Sequence, residues 1–307
     1  MPTVAISTSS FGQISAEPLA ALKAAGFAVK GNPHGRKLTP DESRTFLADA
    51  DALIAGTEWL DDGVLEAAPK LRVISRVGTG LDNVDLDAAR RRGIAVHNTP
   101  DAHVPAVAEL TLAGLLDVLR RLSWADRQVR DGRWDKPMGR LLAGKTVGIV
   151  GMGRVGRALR ELLRPFGASV LAYDLRPDPS LTDVSWLDLD SLLARSDVVS
   201  LHVSSNDGGP LLGGDRIARM KEGAVLVNVA RGGVVDEAAL ADALRAGRLG
   251  GAYLDVFENE PYEGPLVEFD SVVLTPHIGS YAAESRVRME AQATATVIRH
   301  FAREDGA

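Results

Sequence analysis

Three ionisable residues of complementary type each follow a short apolar run in the last third of the chain. Arg231 follows "VLVNVA", Glu260 follows "YLDVFEN" and His277 follows "VVLTP". An arginine fork pairs with a carboxylate, an imidazolium donates a proton, and a glutamate beside the imidazole orients it and favours its charged form. Each pKa unit gained by the histidine is worth about 1.4 kcal/mol of preference for the protonated state. These residue types match the needs of 2-keto acid reduction, provided a cofactor supplies the hydride. Taken singly, each has a plainer reading: a surface arginine beside glycines, a histidine capping a loop after proline, and "ENEP" as a solvated turn. Their common place beyond strands is what joins them, because carboxyl-terminal strand ends line the ligand crevice of an open α/β sheet.

The hydride source has its own signal. In "KTVGIVGMGRVGRALRELLRPFGASVLAYD", Gly151, Gly153 and Gly156 form GxGxxG between a strand and an amphipathic helix whose amino end can receive a pyrophosphate. Asp174 closes the next strand, where a carboxylate accepts from the ribose hydroxyls and disfavours a 2'-phosphate. The expectation is NAD in preference to NADP, although Arg176 could meet a phosphate if Asp174 turned away. FAD is less attractive, since no second flavin-binding feature is identified.

Elements must exist to place these residues. At 307 residues the chain is expected to form two domains with a cleft. The first hundred residues alternate short β-rich runs (3–8, 51–56, 71–76, 94–98) with helical patterns such as "AEPLAALKAAG", which predicts a mostly parallel sheet covered on both faces. A second alternation over 145–151, 168–174, 196–203, 223–230, 250–257 and 271–277 predicts a doubly wound nucleotide-binding domain. Between them, residues 106–132 read as one long helix that could bridge the domains and bury a face against a second subunit. Near the end, "ESRVRMEAQATATVIRHFA" reads as an amphipathic helix able to return to the first domain.

Composition narrows the partners. The net charge of -6 argues against a polyanion, and the local "RRR" at 90–92 reads as a helix end before Gly93. With no cysteine, disulfides, thiolate catalysis and sulfur-liganded metals are excluded; the six histidines form no close ligand motif, so no metal is expected. No secretion signal or bilayer-length apolar run is read, which makes a cytoplasmic setting the expectation.

Over essentially its whole length the chain resembles the D-isomer-specific 2-hydroxyacid dehydrogenase family, in particular its short 3-phosphoglycerate dehydrogenase-like branch. The resemblance rests on "RVGTGLDNVDLDAARRRGIAVHNTP", "VGIVGMGRVG", "NVARGGVVDEAAL", "LDVFENEP" and "LTPHIG" together. It implies a two-domain α/β fold of Rossmann-like or flavodoxin-like domains with parallel sheets and an active-site cleft between them. Residues 1–99 and 285–307 would form a discontinuous catalytic domain, and 100–284 an inserted NAD-binding domain with the interdomain helix. It also implies a homodimer and a small anionic 2-hydroxy or 2-keto acid substrate. Arg231 would bind that substrate, His277 would be the acid-base residue and Glu260 its partner. Arg76, Val77, Gly78 and Thr79 would contact the substrate. Arg154, Val155, His202, Val203, Val229, Ala230 and Asp255 would join Gly151, Gly153, Gly156 and Asp174 around the cofactor, Asp255 near the carboxamide; His202 also has a structural reading.

The resemblance leaves the substrate open. Phosphoglycerate-specific proteins often carry an arginine near Ala55, absent from "LIAGTEWL", and Trp59 either narrows the entrance or packs in its loop. "LHVSSNDGGPLLGG" departs from a proline- and threonine-rich stretch, so Ser204, Ser205 and Asn206 would approach the cofactor on an altered path set by Gly208 and Gly209. His103 reads as a loop residue or a substrate contact. About 30 residues follow His277, and no appended regulatory domain is expected. D-3-phosphoglycerate, glyoxylate, hydroxypyruvate and bulkier keto acids all stay open as substrate partners. So do an NADH-responsive binding protein and an assembly protein in place of an enzyme.

Overall fold

The computed structural model describes residues 1–204 and 208–304. Among these the chain separates into two compact α/β units: Met1–His103 with the chain from Ser280 onward, and Val104–Gly279.

The first unit carries strands β1 (Thr3–Ile6), β2 (Ala28–Gly31), β3 (Ala52–Ala55), β4 (Val73–Arg76) and β5 (Ala95–His97), all parallel, in the order β2-β1-β3-β4-β5. This is the flavodoxin-like order, with its reversal between β1 and β3. Helices α1 (Glu17–Ala24), α2 (Pro40–Leu47), α3 (Asp62–Glu66) and α4 (Leu86–Arg91) connect the strands. β3 reads ALIA because both its faces are covered. Ala52 and Ile54 pack with Leu22 of α1 and with Met289, Ala293 and Val297 of the final helix (Ala283–Glu304), whereas Leu53 and Ala55 pack with Phe46, Val64 and Ala88 of α2, α3 and α4.

The second unit carries α5 (Val104–Arg120), α6 (Leu122–Arg130), β6 (Thr146–Val150), α7 (Arg154–Leu163), β7 (Ser169–Tyr173), β8 (Ser185–Trp186), α8 (Leu189–Arg195), β9 (Val198–Leu201), α9 (Gly214–Arg219), β10 (Ala224–Asn228), α10 (Glu237–Arg245), β11 (Leu249–Leu254) and β12 (Val272–Leu274). Its strands pair in parallel in the order β12-β11-β10-β9-β6-β7-β8, the doubly wound order with the reversal between β6 and β9. Helices α5 and α7 cover one face through Leu115, Val118 and Leu159 against Val147, Ile149, Val225 and Tyr253. Helices α8, α9 and α10 cover the other through Leu192, Ile217 and Leu240 against Leu171, Val199, Leu226 and Leu254.

Three features depart from the sequence reading. β2 and the two-residue β8 lie outside the runs recognised as strands; both are sheet edges, only partly buried, so their residues lack the continuous apolar signature. The long helix expected over 106–132 is two helices. Arg121 adopts a left-handed φ of 55°, and the Asp117 carboxylate accepts from the Ser123 N–H (2.7 Å) and hydroxyl, which terminates one helix and starts the next. The Arg121 guanidinium stacks 4.4 Å from the centre of the Trp124 ring across this break.

Gly114 of α5 has a packing reason: a Cβ there would overlap the ring of Tyr253, which is fully buried in β11. Gly114→Ala is expected to lower the unfolding free energy by about 1–3 kcal/mol through overpacking. Gly31→Ala, whose Cβ would meet no atom within 4 Å, is expected to stay close to wild type. Urea denaturation of both variants checks the contrast.

Candidate active site

The second sheet ends along one line. Tyr173 pairs with Val150, Val150 with Leu201, Leu201 with Asn228, Asn228 with Leu254, and Leu254 with Leu274. The residues that follow this row are Asp174, Gly151, His202, Val229, Asp255 and Thr275. Parallel register thus brings six separate segments to one edge.

Arg231 sits in a turn built by Asn228, which is 1% exposed. The Asn228 side chain accepts the Ala230 N–H (3.1 Å) and donates to the Arg231 carbonyl (3.0 Å). Arg231 Nη1 donates to the Ala230 carbonyl at 2.7 Å, one of the five donors a guanidinium carries. The glycines that follow answer two separate demands. A Cβ on Gly232 would fall on the carbonyl of Phe257, so only glycine lets the two turns touch, and Gly233 takes a φ of +74°. Val229 and Ala230 are buried at the base of this turn.

The adjoining turn presents Glu260. Its Oε1 accepts the Phe257 N–H (3.2 Å), and Glu237, first residue of α10, accepts the Glu258 N–H (2.9 Å). Burial and the neighbouring carboxylates Glu258, Asp236 and Glu260 push Glu237 above the usual carboxylate range. Glu260 reaches His277, whose Nδ1 lies 3.1 and 3.0 Å from its two oxygens. With Nδ1 engaged, Nε2 is the nitrogen left for proton exchange, and the imidazole is half exposed.

His277 has a left-handed φ of 54°, unfavourable for a residue with a Cβ. The turn is fixed from beneath by Asp255, 1% exposed, which accepts from the Thr275 hydroxyl (2.5 Å) and from the N–H groups of Ile278 (2.9 Å) and Gly279 (2.7 Å). Burial raises the Asp255 pKa, opposed by these bonds. Three of its roughly four acceptor positions are therefore used within the chain. Thr275 is also joined to the Tyr253 hydroxyl at 3.0 Å.

The glycine turn after β6 has the shape a dinucleotide needs. Gly151, at φ +96°, packs on the His202 carbonyl, which a Cβ would approach to 2.6 Å, and Gly156 packs on the Gly151 carbonyl. Gly153 instead faces open space and precedes α7 without a side-chain cap, leaving the first N–H groups of a ten-residue helix for an anion. Arg154 and Val155 open that helix. Asp174 Oδ2 accepts the Met152 N–H (2.8 Å) and Oδ1 the Arg176 N–H (2.9 Å), which anchors the carboxylate at the glycine turn. His202 Nε2 is 2.8 Å from the Ser200 hydroxyl; the residue is partly buried, and desolvation pushes its pKa down to about 4. Val203 packs against the α8–α10 side of the core. Ser204 is exposed and Gly209 takes a φ of +89°, while Ser205 and Asn206 lie outside the described residues.

In the first unit, Arg76 ends β4 and donates through Nη1 to the Val77 carbonyl at 3.0 Å. The Gly78 N–H donates to Thr99 Oγ1 (2.8 Å), and Thr79 Oγ1 lies 3.0 Å from His103 Nδ1, which gives His103 a partner in its own unit. Trp59 is 53% exposed beneath Lys37, whose Nζ is 5.5 Å from a ring centre, so the packed-aromatic reading does not hold. Asn228, Glu237 and Thr275 were not read from the sequence. Their signal was position alone, since each lies within three residues of a motif or inside one.

Residues 112–279 match the family model described as "D-isomer specific 2-hydroxyacid dehydrogenase, NAD binding domain". The chain is 42% identical over 259 residues to a D-3-phosphoglycerate dehydrogenase of Mycobacterium tuberculosis, a match covering 81% of this chain and 49% of that protein. It thus spans about half the length of these mycobacterial relatives. It is also 42% identical over 266 residues to a glyoxylate reductase of Thermofilum pendens, covering 82% of this chain and 78% of the relative. Among solved structures, the TT0316 protein from Thermus thermophilus superposes with a TM-score of 0.88 at 38% identity, covering 95% of this chain and 94% of that one.

The clamp beneath His277 can be tested by a near-isosteric change. Asp255→Asn replaces one acceptor oxygen with an NH2 and strands a donor of the turn over 275–279. A loss of about 1–3 kcal/mol is expected in urea unfolding. Wild-type stability would mean that the turn holds its shape without this carboxylate.

Proposed function

Because this chain belongs to the D-isomer specific 2-hydroxyacid dehydrogenase family, we propose that it interconverts a D-2-hydroxy acid and the corresponding 2-keto acid with NAD as redox partner. The observation that carries this reading is the Glu260–His277 pair, 3.0 Å apart, one turn from the residues around Gly232 that hold Arg231. In the reductive direction Arg231 pairs with the substrate carboxylate and polarises the ketone. His277 gives the proton on Nε2 to the carbonyl oxygen, and the Glu260 carboxylate at Nδ1 stabilises the imidazolium until it does so. Bound NADH supplies the hydride that the carbonyl carbon accepts, leaving NAD and the hydroxy acid.

The cofactor residues of this proposal are Gly151, Gly153, Arg154, Val155 and Gly156 at the pyrophosphate, Asp174 at the ribose, and His202, Val203, Val229, Ala230 and Asp255 toward the nicotinamide. The acceptor position left on Asp255 suits a carboxamide N–H. Arg76, Val77, Gly78 and Thr79 are assigned to the substrate. A cytoplasmic setting, with its supply of reduced nicotinamide, goes with this chemistry; among the described residues no helix is long and apolar enough to cross a membrane.

The kinetic test separates binding from proton transfer. Arg231→Ala is expected to raise the KM for the keto acid strongly, and His277→Ala to lower kcat by about 10²–10⁴ while leaving NADH affinity unchanged. Near-wild-type kinetics in both variants would overturn the assignment.

We also propose a homodimer. Residues 121–141 leave Leu122, Val129, Trp134, Met138 and Leu141 exposed, Trp134 at 78% and Met138 at 93%, a density of apolar side chains that favours burial against a second copy. Light scattering is expected to give twice the chain mass for the wild type and the single mass for the Trp134→Glu, Met138→Glu double variant. A monomeric wild type would refute it.

A further inference from the structure

The carboxyl edge of the first sheet holds a buried carboxyl group that the proposed mechanism does not use. Ser7 follows β1, Gly56 and Glu58 follow β3, and Arg76 ends β4; Ile6, Ile54 and Ser75 pair in register behind them. Glu58 is 2% exposed. Its Oε1 accepts the Ser7 hydroxyl at 2.5 Å, and the Gly56 N–H approaches Oε2 at 3.1 Å and Oε1 at 3.3 Å. These donors lie at the β1/β3 reversal, the place where an open sheet offers hydroxyls and N–H groups to an anionic ligand. Here the chain's own carboxylate has taken them.

Arg76 supplies the cation of this arrangement. Its guanidinium folds back over the 77–78 segment: Nη1 donates to the Val77 carbonyl, and a Cβ on Gly78 would collide with it. Burial pushes the Glu58 pKa up, opposed by the hydrogen bonds from the Ser7 hydroxyl and the Gly56 N–H and, least, by the charge of Arg76. The hydroxyl of Thr8, buried without a hydrogen-bond partner among the described residues, lies beside the same carboxylate: Thr8 Oγ1 and Glu58 Oε2 are 3.2 and 3.1 Å from the point a Gly56 Cβ would occupy. The lining is therefore a carboxylate and a neutral hydroxyl.

We propose that Glu58 is a specificity-determining residue that restricts the enzyme to unphosphorylated 2-keto acids, by filling the anion position at the β1/β3 reversal and taking its donors. This rests on the hydroxyacid dehydrogenase reading above and names its substrate class. A phosphoryl group brings close to two negative charges and needs charge-assisted donors. It would meet a buried carboxylate, an engaged guanidinium and donors already in use. A hydrogen or hydroxymethyl substituent on the keto acid has no such requirement.

The test compares hydroxypyruvate with 3-phosphohydroxypyruvate in NADH oxidation, for the wild type, Glu58→Gln and the Glu58→Gln, Arg76→Met double variant. In parallel, calorimetry gives the Kd of D-glycerate and of 3-phosphoglycerate for the NAD-loaded protein. The wild type is expected to favour the unphosphorylated acid at least tenfold in kcat/KM and in Kd. E58Q should move both ratios at least tenfold toward the phosphorylated partner, and adding R76M should abolish that movement. A wild type that prefers the phosphorylated acid, or a folded E58Q with ratios within twofold of wild type, overturns the proposal. Wild-type selectivity requires no variant, so a preference for the phosphorylated acid overturns the proposal even if E58Q does not fold. If no acid is reduced yet the Kd ratios behave as stated, hydride transfer fails as the function and the role of Glu58 in ligand selection stands.

Discussion

Parallel pairing in register governs this molecule. A strand that hydrogen-bonds to parallel neighbours must end where they end, and the second sheet carries that rule across Tyr173, Val150, Leu201, Asn228, Leu254 and Leu274. Everything the sequence offers for chemistry in that unit leaves the sheet within a few residues of this line. The price is local: chain that has just left a strand must turn at once, among other turning segments, without stranding its polar groups. Gly232 against the Phe257 carbonyl, Gly151 against the His202 carbonyl and the left-handed His277 are consequences of that crowding.

The crowding is settled by buried side chains rather than by the reactive ones. Asn228 ties Ala230 to Arg231, Glu237 receives the Glu258 N–H, and Asp255 gathers Thr275, Ile278 and Gly279. Each uses acceptor oxygens to satisfy N–H groups that the end of a strand leaves unpaired. Arg231 and Glu260 add one backbone contact each, to the Ala230 carbonyl and from the Phe257 N–H. Glu260 also meets His277 Nδ1, and the imidazole beyond it is half exposed.

How much of this was readable in advance follows from which part of the physics is local. The GxGxxG turn, Asp174 and the buried strands carry their reasons in consecutive residues, so β6, β7 and the glycine turn are legible from composition and spacing. The pairing of Glu260 with His277 is not local: their types and common place beyond strand ends suggest it, and the motifs "LDVFENEP" and "LTPHIG" strengthen it. Edge strands β2 and β8 escaped because partial burial removes the apolar run that marks a central strand. The break at Arg121 escaped for a different reason: the apolar period continues through it, and only the Asp117 side chain reaching Ser123 diverts the backbone.

Glu58 illustrates the limit most directly. In "LIAGTEWL" it looks like one more charged residue at a loop, and a missing arginine near Ala55 can be noticed only as an absence. Whether that absence leaves a neutral surface or an opposing charge depends on which way the next carboxylate turns. Its direction is set by Ser7, about fifty residues earlier, and by a Gly56 N–H freed at the end of β3. The two sheets thus use their carboxyl edges in opposite ways. In the second, an uncapped glycine at the reversal leaves N–H groups for a ligand's phosphate. In the first, the corresponding position at the β1/β3 reversal is taken by a carboxylate belonging to the chain.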